Sequence, residues 1–316
     1  MRRRDFYHTG LDIARSELAT MRRLQYGSGI VPSGAGTGAD DYYVDGNVLS
    51  TGDGSLNYPF KTLKEAITAS NASIALADNR WWARRNRIFV MGDTLTEDLL
   101  QLPTKCDVIG IGSYDANSQP GLYGTHSTAA EAYGTRWINM WFKGKAAASP
   151  IFTLAGATGA GAQQFIGSTF DGTLGTMTSA ILATAMLRLH VIGCDFTGTF
   201  VTSYISFGAG EMGGARIIGN NMLGTAAKGI VTDIGATASW TPLVNDNTIH
   251  STGLVIDDDG NVLWGSGNRF ICDTDPTADS TGAFDVTQAN WVDNKYTGSA
   301  GGERNADWPF PVQFTS

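Results

Sequence analysis

FIGSTFDG (165–172), VIGCDFTG (191–198) and IIGNNMLG (217–224) align without gaps. Their glycines, Gly167, Gly193 and Gly219, recur at a constant step of 26. The polar residue before the last apolar one runs Thr169, Asp195, Asn221 at the same spacing. It continues at Asn247, Asn268 and Asn294, in steps of 26, 21 and 26. A second register runs alongside, with GIVTDIG (229–235) answered by GLVIDDDG (253–260) at a step of 24. Strand-like alternation within such a period, and no helical pattern, reads as one solenoid turn per repeat. Three short strands and their turns use up a repeat of this size. Leucine-rich repeats need a Leu spacing that is missing here, and a β-sandwich has no reason to keep a constant period.

In that reading each strand pairs with its equivalent in the next turn, so equivalent residues stack. Ile166, Ile192 and Ile218 are expected as an inward apolar ladder, and Phe170, Phe196 and Met222 as another. Asp195, Asn221 and Asn247 are expected as a polar corner ladder, because Asn tolerates the left-handed conformation and its amide bonds to the next Asn.

Working outward, the chain divides into four parts. Residues 1–40 hold six arginines and four acids and end in a Gly-rich linker, GSGIVPSGAGTGAD. They read as an attachment arm. Its partner-binding residues are expected to be Arg2, Arg3, Arg4, Leu11, Ile13, Leu18, Met21 and Leu24, because a bare tail has no need of the apolar ones. Residues 41–85 read as an opening strand and a capping helix, with Leu63, Ala66, Ile67, Ser70 and Ile74 on one stripe. Residues 86–298 carry the solenoid, about eight turns and roughly 40 Å of stack. Residues 299–316 read as a lid or strap, with Trp308, Phe310, Val312 and Phe314 broken by Pro309 and Pro311.

Composition supports an all-β chain. Of 316 residues, 40 are glycine, 42% are hydrophobic and only 16% are charged. That excludes wholesale disorder and argues against a helical bundle. A net charge of −8 speaks against a general nucleic-acid binder. Cys106, Cys194 and Cys272 are too sparse for a disulfide framework or a metal site and read as free buried thiols. MRRRDFYHTG lacks an apolar core, so no signal peptide is expected, and no run is long enough to span a membrane.

YYVDGNVLSTGDGSLNYPFKTLKEAI resembles the opening segment of right-handed parallel β-helix proteins of the pectate-lyase-like type. Val44, Asp45, Gly52, Asp53, Gly54, Pro59, Phe60, Lys61, Thr62, Leu63, Ala66 and Ile67 carry the likeness. The resemblance implies a single-stranded right-handed parallel β-helix. A β-helix behind a short arm is also similar to bacteriophage virion proteins, the tailspikes, fibre heads and capsid decoration proteins. That likeness implies a homotrimeric, non-enzymatic surface knob or spike, made in the host cytoplasm and carried in the virion. Its arm would bind other virion proteins, with no cofactor, no nucleic acid and no membrane.

The alternative is a tailspike-type enzyme or binder of cell-surface polysaccharide. A glycosidase needs two carboxylates. Asp233 and Asp257 are the pair expected outward, in register and one turn apart. A lyase would add a base and calcium ligands, and none of the sparse basic residues after 145 matches that pattern. The 257–261 turn has oxygens but no calcium-loop spacing. Arg80, Arg84, Arg85 and Arg87 beside Trp81 and Trp82 are expected to brace the cap or meet acids. Trp137 and Trp141 are expected to face the same way, and the histidines to be structural.

Overall fold

The computed structural model describes residues 39–76, 84–92, 94–112, 119–128, 134–145, 148–155, 162–173, 177–260, 262–272, 284–285, 291–297 and 303–305. The described strands form three long sheets, of ten, ten and seven strands, in which neighbours come from successive turns of the chain. The first sheet runs from Asp41–Asp45 and Asn86–Met91 to Trp291–Val292. The second starts at Leu95–Thr96 and the third at His126–Ser127. Strand pairings between turns are parallel, so the molecule is a parallel β-helix. Glu303–Asn305 pairs antiparallel with Lys295–Thr297 and folds back along the last turn. The lid residues 308–314 lie outside the described residues, as do Arg80, Trp81 and Trp82.

Seven described turns have a strand on all three sides, against the eight or so expected. The first turn supplies a strand to the first sheet alone, and the second supplies the first two sheets but crosses the third side as irregular chain at residues 97–103. The first sheet is therefore taller than the third.

The repeat register holds. Ile166 pairs with Ile192, and Ile192 with Ile218. Their direction is the reverse of the expected one. The inward ladder is the preceding residue, Phe165–Val191–Ile217–Val244, buried to 1% exposure or less. The three isoleucines stand on the outer face, part-exposed. Phe170, Phe196 and Met222 do point inward and stack in register. A third inward row, His126–Phe152–Ile181–Ile205–Ile230–Ile256, closes the core from the third sheet.

The recurring glycines of the repeat have a conformational task. At the corner between the first and second sheets every described turn from residue 139 onward places one residue at positive φ. These are Asn139 (55°), Gly167 (53°), Gly193 (59°), Gly219 (65°), Asp246 (56°), Gly267 (68°) and Asp293 (55°). Only Gly, Asn and Asp visit this region at low cost. The bend reverses the alternation, so the next residue points inward. That position holds Met140, Ser168, Cys194, Asn220, Asn247, Asn268 and Asn294, all buried. The corner ladder is therefore Asn220–Asn247–Asn268–Asn294, one residue away from the expected Asn221. Each amide donates to the next, at 2.8, 2.9 and 2.8 Å. The same acceptor oxygens also take the backbone N–H of the turn before, at 3.0 Å each. Asp195 and Asn221 pair in register outside, and are joined by a 3.0 Å bond.

Helix α1, Leu63–Ala75, buries Leu63, Ala66, Ile67, Ser70 and Ile74 against the first turn, the stripe expected from sequence. Thr62 and Glu65 form a capping box. Glu97 reaches in from the second turn to accept from the N–H groups of Leu63 (2.7 Å) and Lys64 (3.0 Å), which suits the positive helix end. The helix thus closes the stack that would otherwise end on an open apolar cross-section.

Candidate functional site

The expected carboxylate pair does not form. Ile230 pairs with Ile256, so the strands here keep the same step as the rest of the stack, and the register partner of Asp257 is Val231. The letter match between GIVTDIG and GLVIDDDG is two positions out of that register. Asp233 lies past the end of its strand, exposed, with its carboxylate accepting from the N–H of Gly235 at 2.8 Å. Asp257 is 3% exposed and ion-paired with Lys228. In the next turn Asp257 pairs in register with Asp285. Asp258 points inward, accepting from the Thr232 hydroxyl at 2.7 Å and from the N–H groups of Val262 and Leu263 at 3.2 and 2.9 Å. Its oxygens are spent on the turn.

The described face with the most unusual surface chemistry is the outer side of the first sheet. One outward row runs Asp41–Arg87–Asp107–Arg136–Gln164–His190–Arg216–Leu243–Trp264 in register. Its first four members alternate in charge. Arg87 grips Asp41 with two bonds of 2.6 Å, and Arg136 grips Asp107 at 2.7 and 2.6 Å. Arg85 adds a 2.5 Å bond to Asp107. The basic residues of this segment therefore meet acids. Arg87 also lies over the Phe89 ring at 5.6 Å.

The neighbouring outward row runs Tyr43–Phe89–Ile109–Ile138–Ile166–Ile192–Ile218. It is apolar through seven consecutive turns. Ile138 is 7% exposed and the others are part-exposed. Beyond it lies the glycine corner, where a Cβ at Gly193 or Gly219 would meet nothing within 4 Å. The stripe therefore borders a smooth, open edge.

The upper part of this face is basic and aromatic. Arg188 lies 5.5 Å over the ring of Trp240. Trp240 is 52% exposed and Trp264 is 45% exposed. Glu211 braces the loop before Trp240, accepting from Ser239 through its N–H (2.7 Å) and hydroxyl (2.9 Å), and from Gly213 N–H (2.7 Å). Burial pulls the Glu211 carboxyl up, but these donors outweigh it and hold it below its ordinary value. Burial lowers the His190 imidazole, and the Arg216 and Arg188 charges push the same way.

The remaining candidates are structural. Trp137 points inward and Trp141 outward, because the bend at Asn139 lies between them. Lys143 lies 4.7 Å over the Trp141 ring. None of the three cysteines forms a disulfide and all are buried, and burial pushes Cys106 and Cys194 up to about 12. Among the described residues no group of three His, Cys, Asp or Glu is placed to hold a metal. Among them also, no helix is long and apolar enough to cross a membrane. The arm residues Arg2, Arg3, Arg4, Leu11, Ile13, Leu18, Met21 and Leu24 lie outside the described residues.

Sequence reasoning misses the outer stripe because apolar residues at both alternate positions, as in Phe165-Ile166, hide which one faces out. The paired Ile-Gly steps are the available signal. Set against protein-family models, curated proteins and solved structures, the chain matches none.

Proposed function

We propose that this chain is a structural protein of a bacteriophage particle: a homotrimeric knob or spike, in the manner of a capsid decoration protein or a small tail-attached spike, anchored by residues 1–40. The observation that carries the reading is the way the arm joins the body. Asp40 is clamped at the helix-capped end of the stack. Its carboxylate accepts from Ser73 and from Arg84, its N–H donates to Asn86 Oδ1 at 3.0 Å, and its carbonyl accepts from Arg87 N–H at 2.9 Å. Burial raises that carboxyl, and the Ser73 hydroxyl with Arg84 and Tyr42 more than reverses it. A basic segment fixed at one end of a rigid rod, which carries the chain's negative charge, is the layout of an anchored projection.

Deleting residues 1–38 keeps the Asp40 clamp. The shortened chain should fold with an unchanged melting curve and fail to join particles that the full chain decorates at fixed stoichiometry. Full occupancy by the shortened chain would overturn the anchor, and release of reducing sugar from host polysaccharide by the full chain would overturn the structural reading.

A second reading has its own observation. Exposed Trp240 beside Arg188, with Arg216 and exposed Trp264 on the same face, suits a glycan bearing carboxylates, through ring stacking and ion pairing. Calorimetric titration with an acidic polysaccharide should then show binding that Trp240→Ala abolishes. Equal heats from both proteins would remove this reading.

A further inference from the structure

We infer that the outer apolar stripe of the first sheet, from Tyr43 to Ile218, is the surface on which one copy of this chain packs against another. The inference rests on the homotrimer reading above and names the face that makes it. Large part-exposed apolar side chains in an unbroken row are uncommon on a surface that faces only water. Here apolar residues repeat once per turn through seven turns, and six of the seven are part-exposed.

The periodicity chooses the occupant. The row rises by one strand spacing per turn, about 4.8 Å. A partner that fills it along its length must present side chains at the same rise. A second solenoid of this chain, lying parallel at the same height, does so at every turn.

Charge agrees with the same partner. On the first sheet's outer face the middle turns carry the cations Arg188 and Arg216. Around the glycine corner, at the level of the Arg188–Ile192 strand, the second sheet's outer face carries Asp195. Rotation about an axis parallel to the stack brings the two arginines of one copy towards Asp195 of the next without a vertical shift. The open space over Gly193 and Gly219 lets the two corners approach closely. A closed ring of such contacts buries every stripe, as cyclic symmetry requires.

The test is the mass of the full chain in solution. Light scattering or sedimentation at micromolar concentration should give a trimer for the native chain. The double variant Ile166→Lys, Ile192→Lys should give a monomer that keeps its far-ultraviolet spectrum, because both side chains point outward. Asp195→Arg should dissociate at low salt, and Val201→Lys, on an exposed site of the third sheet, should stay trimeric. If the lysine pair unfolds the chain, Ile192→Cys supplies the second measurement, with a short bifunctional maleimide linking two of the three copies in each trimer. A trimer unaffected by the lysine pair, or Ile192→Cys copies that do not link, would overturn the face while leaving the trimer intact. A monomeric native chain would overturn the trimer and the inference with it.

Discussion

The lower and upper halves of the stack solve the same packing problem with different chemistry. From residue 137 to 196 the core is aromatic. Trp137, Phe142, Phe152, Phe165, Phe170 and Phe196 are fully buried, with Phe142 and Phe152 edge-on at 4.9 Å and Phe170 and Phe196 stacked at 4.8 Å. The inward corner position there is Met140, Ser168 or Cys194. Above it the dense ring cluster gives way to a mixed core, with Ile217, Ile230, Val244, Ile249 and Ile256 beside Phe270 and Trp291, and the corner becomes the asparagine ladder. The backbone bend is common to both halves, as the φ values of 53° at Gly167 and 56° at Asp246 show. The bend thus demands a left-handed residue and leaves the next side chain open to choice. Beside the ring cluster, van der Waals contact fills the corner. From Asn220 upward, hydrogen bonds between turns take over.

The largest effect should come from the aromatic half. Phe152 touches the rings of Trp137, Phe142, Phe165 and Phe170 within 6.3 Å between centroids. Phe152→Ala should destabilise by about 3–5 kcal/mol, through lost transfer energy and a cavity that rigid neighbours cannot close. Denaturant unfolding measures it, and a loss below about 1 kcal/mol would mean the ring cluster is not packed as described. In the upper half, Asn247→Ala removes a donor to Ile217 O and Asn268 and an acceptor from Asn220. Leaving those buried groups unpaired should cost about 2–3 kcal/mol. Asn221→Ala, on the exposed outer row, should cost well under 1 kcal/mol, about the value of a surface substitution. Equal losses at 221 and 247 would return the ladder to the outer position.

The reach of the sequence follows from the same bend. The regular spacing of Gly167, Gly193 and Gly219 is readable because only a few residue types accept positive φ, so the turn marks itself. Which side faces in is not readable. Val191 and Ile192 are equally apolar, and alternation carries no information when both positions match. Asn220-Asn221 poses the same ambiguity in polar form, and the letters alone put the outer Asn in the inner place. The acid pair fails for a different reason. The letters of GLVIDDDG repeat those of GIVTDIG at a shorter step than the strands themselves keep, and only hydrogen-bonded register separates the two. The capping helix has one apolar stripe and no competing face, so its buried set is legible in full.

His126 marks the seam below the aromatic half and sharpens the contrast at acid pH. Its ring packs 4.8 Å from Phe152, and its Nδ1 accepts from Leu99 N–H at 3.3 Å. Burial pulls its pKa from 6.5 to about 3. The folded state therefore holds the imidazole neutral while the unfolded chain takes up a proton. Stability from this site is complete above pH 6.5 and drains away as pH falls toward 3. Between pH 6.5 and pH 5 the loss should be about 2 kcal/mol. His126→Phe keeps the ring contact and should flatten that part of the pH profile. Parallel profiles for the two proteins would show the imidazole to be protonated in the fold.

The smallest effects are expected at the two acids that the letters pair as a catalytic couple, and they separate the two readings of the third sheet. Asp233 sits in water and accepts one N–H bond within its own turn. Asparagine offers the same carbonyl oxygen, so Asp233→Asn should change stability by no more than about 0.5 kcal/mol. Asp257 is buried against Lys228, whose side chain is 40% exposed. Solvent on the lysine screens the pair, and Asp257→Asn should cost about 1 kcal/mol rather than the larger value of a fully buried ion pair. If the two carboxylates faced each other across one turn, each substitution would relieve repulsion and stabilise the protein. Thermal melts of the two variants decide by sign: gains at both Asp233 and Asp257 would restore the repulsive couple, and a loss at Asp257 with silence at Asp233 fits the Lys228 ion pair and the register that places Val231 opposite Asp257.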